Sequence, residues 1–130
     1  MTRKLTAEER AAMKEALKDA EGEEAVRAAL EKMAPDDRVI GERIHAIVRR
    51  VAPELKPKTW YGMPAYANSE GKAVLYFRDA KKFKERYAML GFNDRANLDD
   101  GSMWPVAYAL PKLTKADEVR IAKLVKQAAS

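Results

Sequence analysis

Two neighbouring stretches decide the fold: "TWYGMPAY" at residues 59–66 and "KAVLYFR" at residues 72–78. Before Pro57 the chain reads as charged helix, and from there it reads as strand. Residues 58–61 and 65–67 predict short extended pieces, broken at Gly62, Met63 and Pro64. The proline biases Met63 before it to extended geometry. Asn68-Ser69-Glu70-Gly71 has the chemistry of a turn, so residues 65–78 predict a hairpin. Residues 86–92 (RYAMLGF) and 105–110 (PVAYAL) predict further strands, with a polar loop at 93–102 between them.

Working outward towards the start, Thr6 and Glu9 have the spacing of a capping box, in which hydroxyl and carboxylate each take a backbone N–H. Met13, Ala16, Leu17 and Ala20 then fall on one helical stripe. Gly22 interrupts, and a second stripe follows in Val26, Ala29, Leu30 and Met33, so two helices are expected here. Pro35, Asp36 and Asp37 suit a third helix N-terminus, where the dipole favours acidic groups. Ile40, Ile44, Ile47, Val48 and Val51 form its apolar face. Their β-branched side chains make this helix depend on packing. Pro53 ends it. Beyond the strands, Thr114 caps a last helix carrying Val119, Ala122, Leu124, Val125 and Ala128.

Helices, then a meander of strands, then a helix make an α+β domain: an antiparallel β-sheet with helices packed on one face. At 130 residues this is one domain, with residues 1–22 as a helical extension. A half-wet sheet alternates apolar and polar residues. These strands do not: in residues 73–77 both faces are apolar, and Ala107 and Ala109 oppose Val106, Tyr108 and Leu110. Something is therefore expected over the second face. The N-terminal helices, a ligand or a second copy of the chain each fit, so monomer and homodimer both stay open.

The 25 basic and 20 acidic side chains leave a net charge of +5. Their signs interleave as on solvated helix faces, so the excess is read as surface rather than as a nucleic-acid footprint. Only residues 78–86 (RDAKKFKER) hold a local surplus. There is no cysteine, which excludes disulfides, thiolate metal sites and a cysteine nucleophile, and fits a cytoplasmic protein. No apolar run resembles a leader or is long enough to span a membrane. The three serines have no nucleophile-elbow context, and the glycines form no phosphate-cradling run. His45, the single histidine, lies at the border of the third helix's apolar face. A base role with Glu42 or Glu54 is one reading, and a satisfied boundary histidine is the favoured one. The residues thus point to binding rather than catalysis.

Aromatic side chains concentrate in the sheet region, and tyrosine and tryptophan suit half-wet sites. The candidate ligand-binding set for a small molecule is Trp60, Tyr61, Met63, Tyr66 and Trp104, with Lys58 or Arg86 at the rim for an anionic group. Strand alternation puts Trp60 and Tyr66 towards helix or sheet, and leaves Tyr61 and Met63 free for a ligand or partner.

"WYGMPAY", the turn after it and "GKAVLYF" resemble the YdhG-like bacterial domain-of-unknown-function family. Pro35-x-x-Arg38 and the helix end Ala52-Pro53-Glu54 carry the same resemblance, which spans residues 24–130. It implies a frataxin-like α+β fold and, from some relatives, iron-chaperone activity. It implies no catalytic residues. Ferrous iron would need exposed carboxylates as hard oxygen ligands, and the basic charge departs from that pattern. The candidate metal residues are Asp94, Asp99 and Asp100, in a loop that lacks the alternating acids and closing glutamate of a calcium-binding EF-hand.

Overall fold

The structure, a computed structural model, describes residues 4–130. The elements run α1 (Ala7–Glu31), α2 (Pro35–Val51), β1 (Lys56–Trp60), β2 (Met63–Ala67), β3 (Ala73–Arg78), β4 (Ala88–Phe92), β5 (Ala107–Leu110) and α3 (Lys115–Ala129). The strands form one sheet in the order β1-β2-β3-β4-β5, every neighbour antiparallel. The fold is therefore α+β with a meander sheet. Among the described residues no helix is long and apolar enough to cross a membrane.

Both expected caps form. Thr6 accepts from the Glu9 N–H while Glu9 accepts from the Thr6 N–H, and Thr114 and Asp117 repeat the exchange on α3. Those bonds hold the exposed Asp117 carboxyl below its ordinary pKa. The expected break at Gly22 is absent, and α1 is one helix of 25 residues. Gly22 has a different use. A Cβ built there would stand 1.9 Å from the Pro57 carbonyl oxygen. The glycine thus lets the helix backbone close on the outer edge of β1. Pro57 has no N–H to leave unpaired on that edge, so helix and proline together shield an edge strand.

The register settles which side chains share a face. Tyr66, Leu75 and Phe92 are cross-strand neighbours, as are Phe77, Leu90 and Tyr108. All three helices lie on this face. Ile40, Ile44, Ile47 and Val48 of α2 join Ile121, Val125 and Ala128 of α3 over Tyr66, Leu75, Phe77, Leu90 and Phe92 in one buried cluster. Gly41 of α2 sits so close that a Cβ there would meet Leu30 at 2.5 Å and Phe77 at 2.9 Å. The first half of α1 reaches beyond this core. Met13 and Leu17 are about 60 % exposed, and the helix buries only Val26 and Leu30.

The β1–β2 connection is tighter than expected. Tyr61 and Gly62 are its two central residues, with φ of 49° and 77°, the double positive φ that a type I′ hairpin turn demands. Met63 and Pro64 already belong to β2. The turn has a consequence for facing. Trp60 pairs directly with Met63, so these two share a face and Tyr66 takes the other. Alternation read straight through residues 60–66 had grouped Trp60 with Tyr66.

Candidate functional site

The face away from the helices is built from Lys58, Trp60, Met63, Ala65, Tyr76, Arg78, Met89, Gly91, Ala107 and Ala109. Three rings meet at one end of it. Trp60 lies edge-on to Tyr61, with centroids 4.9 Å apart, and 5.1 Å from Tyr76. Tyr61 is 79 % exposed at the turn, while Trp60 and Tyr76 are half-buried. Tyr76 lies over Gly91, where a Cβ would stand 2.2 Å from its ring. Glycine in mid-strand weakens a sheet unless something occupies the space it leaves, and here a cross-strand ring does.

Three cations stand near this end of the sheet. Lys58 shares the cross-strand row of Ala65 and Tyr76. Arg78 stands two residues along β3, with its guanidinium 4.3 Å from the centre of Phe83 and 2.6 Å from Glu85. The Lys82 ammonium lies 2.6 Å from where a Gly62 Cβ would be, and 5.4 Å from the Phe83 ring. The basic run 78–86 is thereby folded back onto the aromatic turn, a juxtaposition that neither stretch discloses alone.

Of the five aromatic and apolar residues expected to line a pocket, Trp60 and Tyr61 are brought together on this open face. Met63 lies on it too but is 5 % exposed, so it supports the rings rather than meeting a ligand, against the expectation. Tyr66 is fully buried on the helix side. Trp104 belongs to the β4–β5 connection, at the opposite end of the meander, and packs half-buried against the core. Among the described residues these five do not converge on one site, since Tyr66 and Trp104 pack against the helix-side core. Arg86 is also elsewhere: it stacks on Tyr87 and lines a groove at the N-terminus of α2. Tyr76 is the ring that sequence reasoning missed. Its signal was Gly91, a glycine inside a strand pattern that calls for a large cross-strand partner.

His45 has partners other than Glu42 or Glu54. Its Nδ1 lies 2.7 Å from the Tyr66 hydroxyl, and its Nε2 is 2.7 Å from each Glu23 oxygen. With Nε2–H donating to Glu23, Nδ1 accepts the proton of Tyr66, and every polar atom of the pair is satisfied. Burial pushes the Tyr66 hydroxyl well above its ordinary pKa, and the Glu23 charge adds to this. Beside them Arg49 bridges to Asp19 at 2.9 and 3.3 Å. These contacts tie α1 to α2 and β2. Both ring nitrogens of His45 are engaged, so the arrangement is a clasp rather than a free base. Glu42 itself pairs with Arg38 at 2.8 Å.

Asp94, Asp99 and Asp100 are exposed in the loop after β4. Among the described residues no group of three or more histidine, aspartate or glutamate side chains is arranged to hold a metal ion. Comparison with the profiles of known families, with curated proteins and with solved structures returned no match.

Proposed function

We propose that this protein is a non-enzymatic binding module whose ligand lies on the open face of the sheet, around Trp60, Tyr61 and Tyr76. One observation carries the reading: Tyr61 is held with φ of 49° while 79 % exposed. Left-handed backbone costs a residue with a side chain about 1–2 kcal/mol, and a type I′ turn is best served by asparagine before glycine. A large ring kept in a strained position, where it contributes little burial, is a residue positioned for contact. The rings stand on a flat surface instead of lining a cleft, which favours an extended or planar ligand over a small molecule enclosed in a pocket. Lys58, Arg78 and Lys82 favour an anionic one.

Kinship with the YdhG-like family and a frataxin-like fold belong to this proposal, since a meander sheet with helices on one side is what that resemblance implies. The iron-chaperone role it also implies is not the reading preferred here. Asp94, Asp99 and Asp100 belong to a chain with five surplus positive charges, and hard cations need convergent carboxylates.

The test is a titration with anilinonaphthalene sulfonate, a planar aromatic anion, followed by amide shifts and by ferrous iron under anaerobic conditions in parallel. Saturable binding that shifts Trp60, Tyr61 and Tyr76 supports the open face. Shifts confined to the groove that Glu21, Gly22, Lys56 and Pro57 line between α1 and β1, or iron-selective heat lost in Asp99→Asn with Asp100→Asn, would overturn it.

A further inference from the structure

Resting on the open-face reading, we propose that the ligand is a single strand of nucleic acid, its bases on the Trp60, Tyr61 and Tyr76 rings and its phosphates on the cations beside them. Counted over the strand positions of this face, every ionisable group other than tyrosine is basic: Lys56, Lys58 and Arg78 are present, with no aspartate, glutamate or histidine, although Lys56 lies 3.9 Å from Asp19 of α1. Glu85, the carboxylate nearest Arg78, is already bound by it at 2.6 Å. Lys82 adds a cation at the border of the face, exposed and close to Gly62, where it lines the groove between the turn and α1. The whole-chain charge hides this, because α1 carries much of the acid on the far side of the sheet.

Shape favours a single strand as well. A duplex offers phosphates and groove edges, whereas a single strand offers base faces, and rings on an open antiparallel sheet suit the latter. Three rings accommodate about two or three bases in this mode. From β1 to β5 the sheet spans about 19 Å. Along that line Tyr76 covers Gly91, and beyond it the small side chains of Ala107 and Ala109 continue the face. Ala107 and Ala109 are exposed. A mononucleotide would fill only one end of this surface, so the polymer is favoured. Stacking makes the preference tolerant of sequence, because every base has a π-face.

The experiment is fluorescence anisotropy of labelled dT and rU twelve-mers at several salt concentrations, with thymidine monophosphate and the duplex as competitors. The single strands should bind more tightly than either competitor. The logarithmic salt slope should be about −2, from some three phosphates at about −0.7 each. Lys58→Gln with Lys82→Gln should flatten that slope by about 1.4. Tyr61→Ala, at an exposed position where folding is not at stake, should weaken binding about five-fold or more, within the range for loss of one stacked base.

Binding of anilinonaphthalene sulfonate or the monophosphate at Trp60, with the twelve-mers no tighter, would overturn the nucleic-acid assignment and leave the open-face site standing. No response at Trp60 to any probe would overturn both. Oligonucleotide binding unchanged in Tyr61→Ala would mark simple charge attraction and overturn the stacking claim. A dimer in light scattering that Tyr61→Ala dissociates would identify the face as an interface between copies instead.

Discussion

The two faces of the sheet use aromatic side chains in opposite ways. On the helix side, Tyr66 and Phe77 are fully buried beneath α2, and the one polar atom among them is bonded to His45. On the open side, Trp60, Tyr61 and Tyr76 touch one another in a row, with no helix above them. The same residue types serve packing on one face and presentation on the other. What separates them is strand parity, together with the placement of all three helices on one side. Ring content alone is therefore no guide to function here, whereas exposure combined with backbone strain is.

Mutations that probe the contrast should rank as follows. Phe77→Ala should be the most costly, at about 3–5 kcal/mol in urea unfolding, because it opens a cavity under α2 and α1. A loss below 1 kcal/mol would erase the distinction between the faces. Gly22→Ala should cost about 1–3 kcal/mol by overpacking against the Pro57 carbonyl, although the same change in an exposed helix gains close to 1 kcal/mol. A stabilised variant would show that α1 does not press on the edge of β1.

Tyr66→Phe carries a pH signature. The buried hydroxyl has a raised pKa in the folded state, so above about pH 10 the unfolded chain releases a proton that the folded chain keeps. Stability contributed by this group is intact below pH 10 and falls as pH rises, at about 1.4 kcal/mol per pH unit. Unfolding of Tyr66→Phe, followed from pH 9 to 11, should lack that component. Equal slopes in the two proteins would place the hydroxyl in water.

Trp60→Ala should cost no more than about 2 kcal/mol, since the ring is half-buried and only part of its area leaves water on folding. A core-sized loss would move it to the other side of the comparison. Tyr61→Asn should raise stability by about 0.5–1 kcal/mol in thermal unfolding by relieving the left-handed strain, while weakening any ligand held by the ring. A destabilised Tyr61→Asn would mean that the tyrosine is retained for the fold.

Much of the architecture was legible in advance. The capping pair Thr6/Glu9 and the cap at Thr114 act locally, the isoleucine and valine period of α2 is long, and Asn68-Ser69-Glu70-Gly71 has unambiguous turn chemistry. The candidate site was half legible. Trp60 and Tyr61 could be named, because aromatics beside a glycine turn are conspicuous. Trp60 was put on the wrong face because a two-residue turn resets strand alternation, so that residues 60 and 63 face the same way, and Met63 and Tyr66 proved too buried to meet a ligand. Arg86 was taken for a rim residue from composition, although the loop after β3 directs Lys82, and not Arg86, to the turn.

By itself the sequence determined the element types, their order and the helix ends marked by caps and prolines, though not the continuity of α1 through Gly22, since these signals depend on side chains a few residues apart. Tertiary structure alone decided that Gly22 lies inside a helix, that Lys82 meets Gly62, and that Tyr76 covers Gly91. The physical reason is that each is a contact between segments distant in the chain. Such contacts depend on where backbones approach, and no local propensity or period reports that distance.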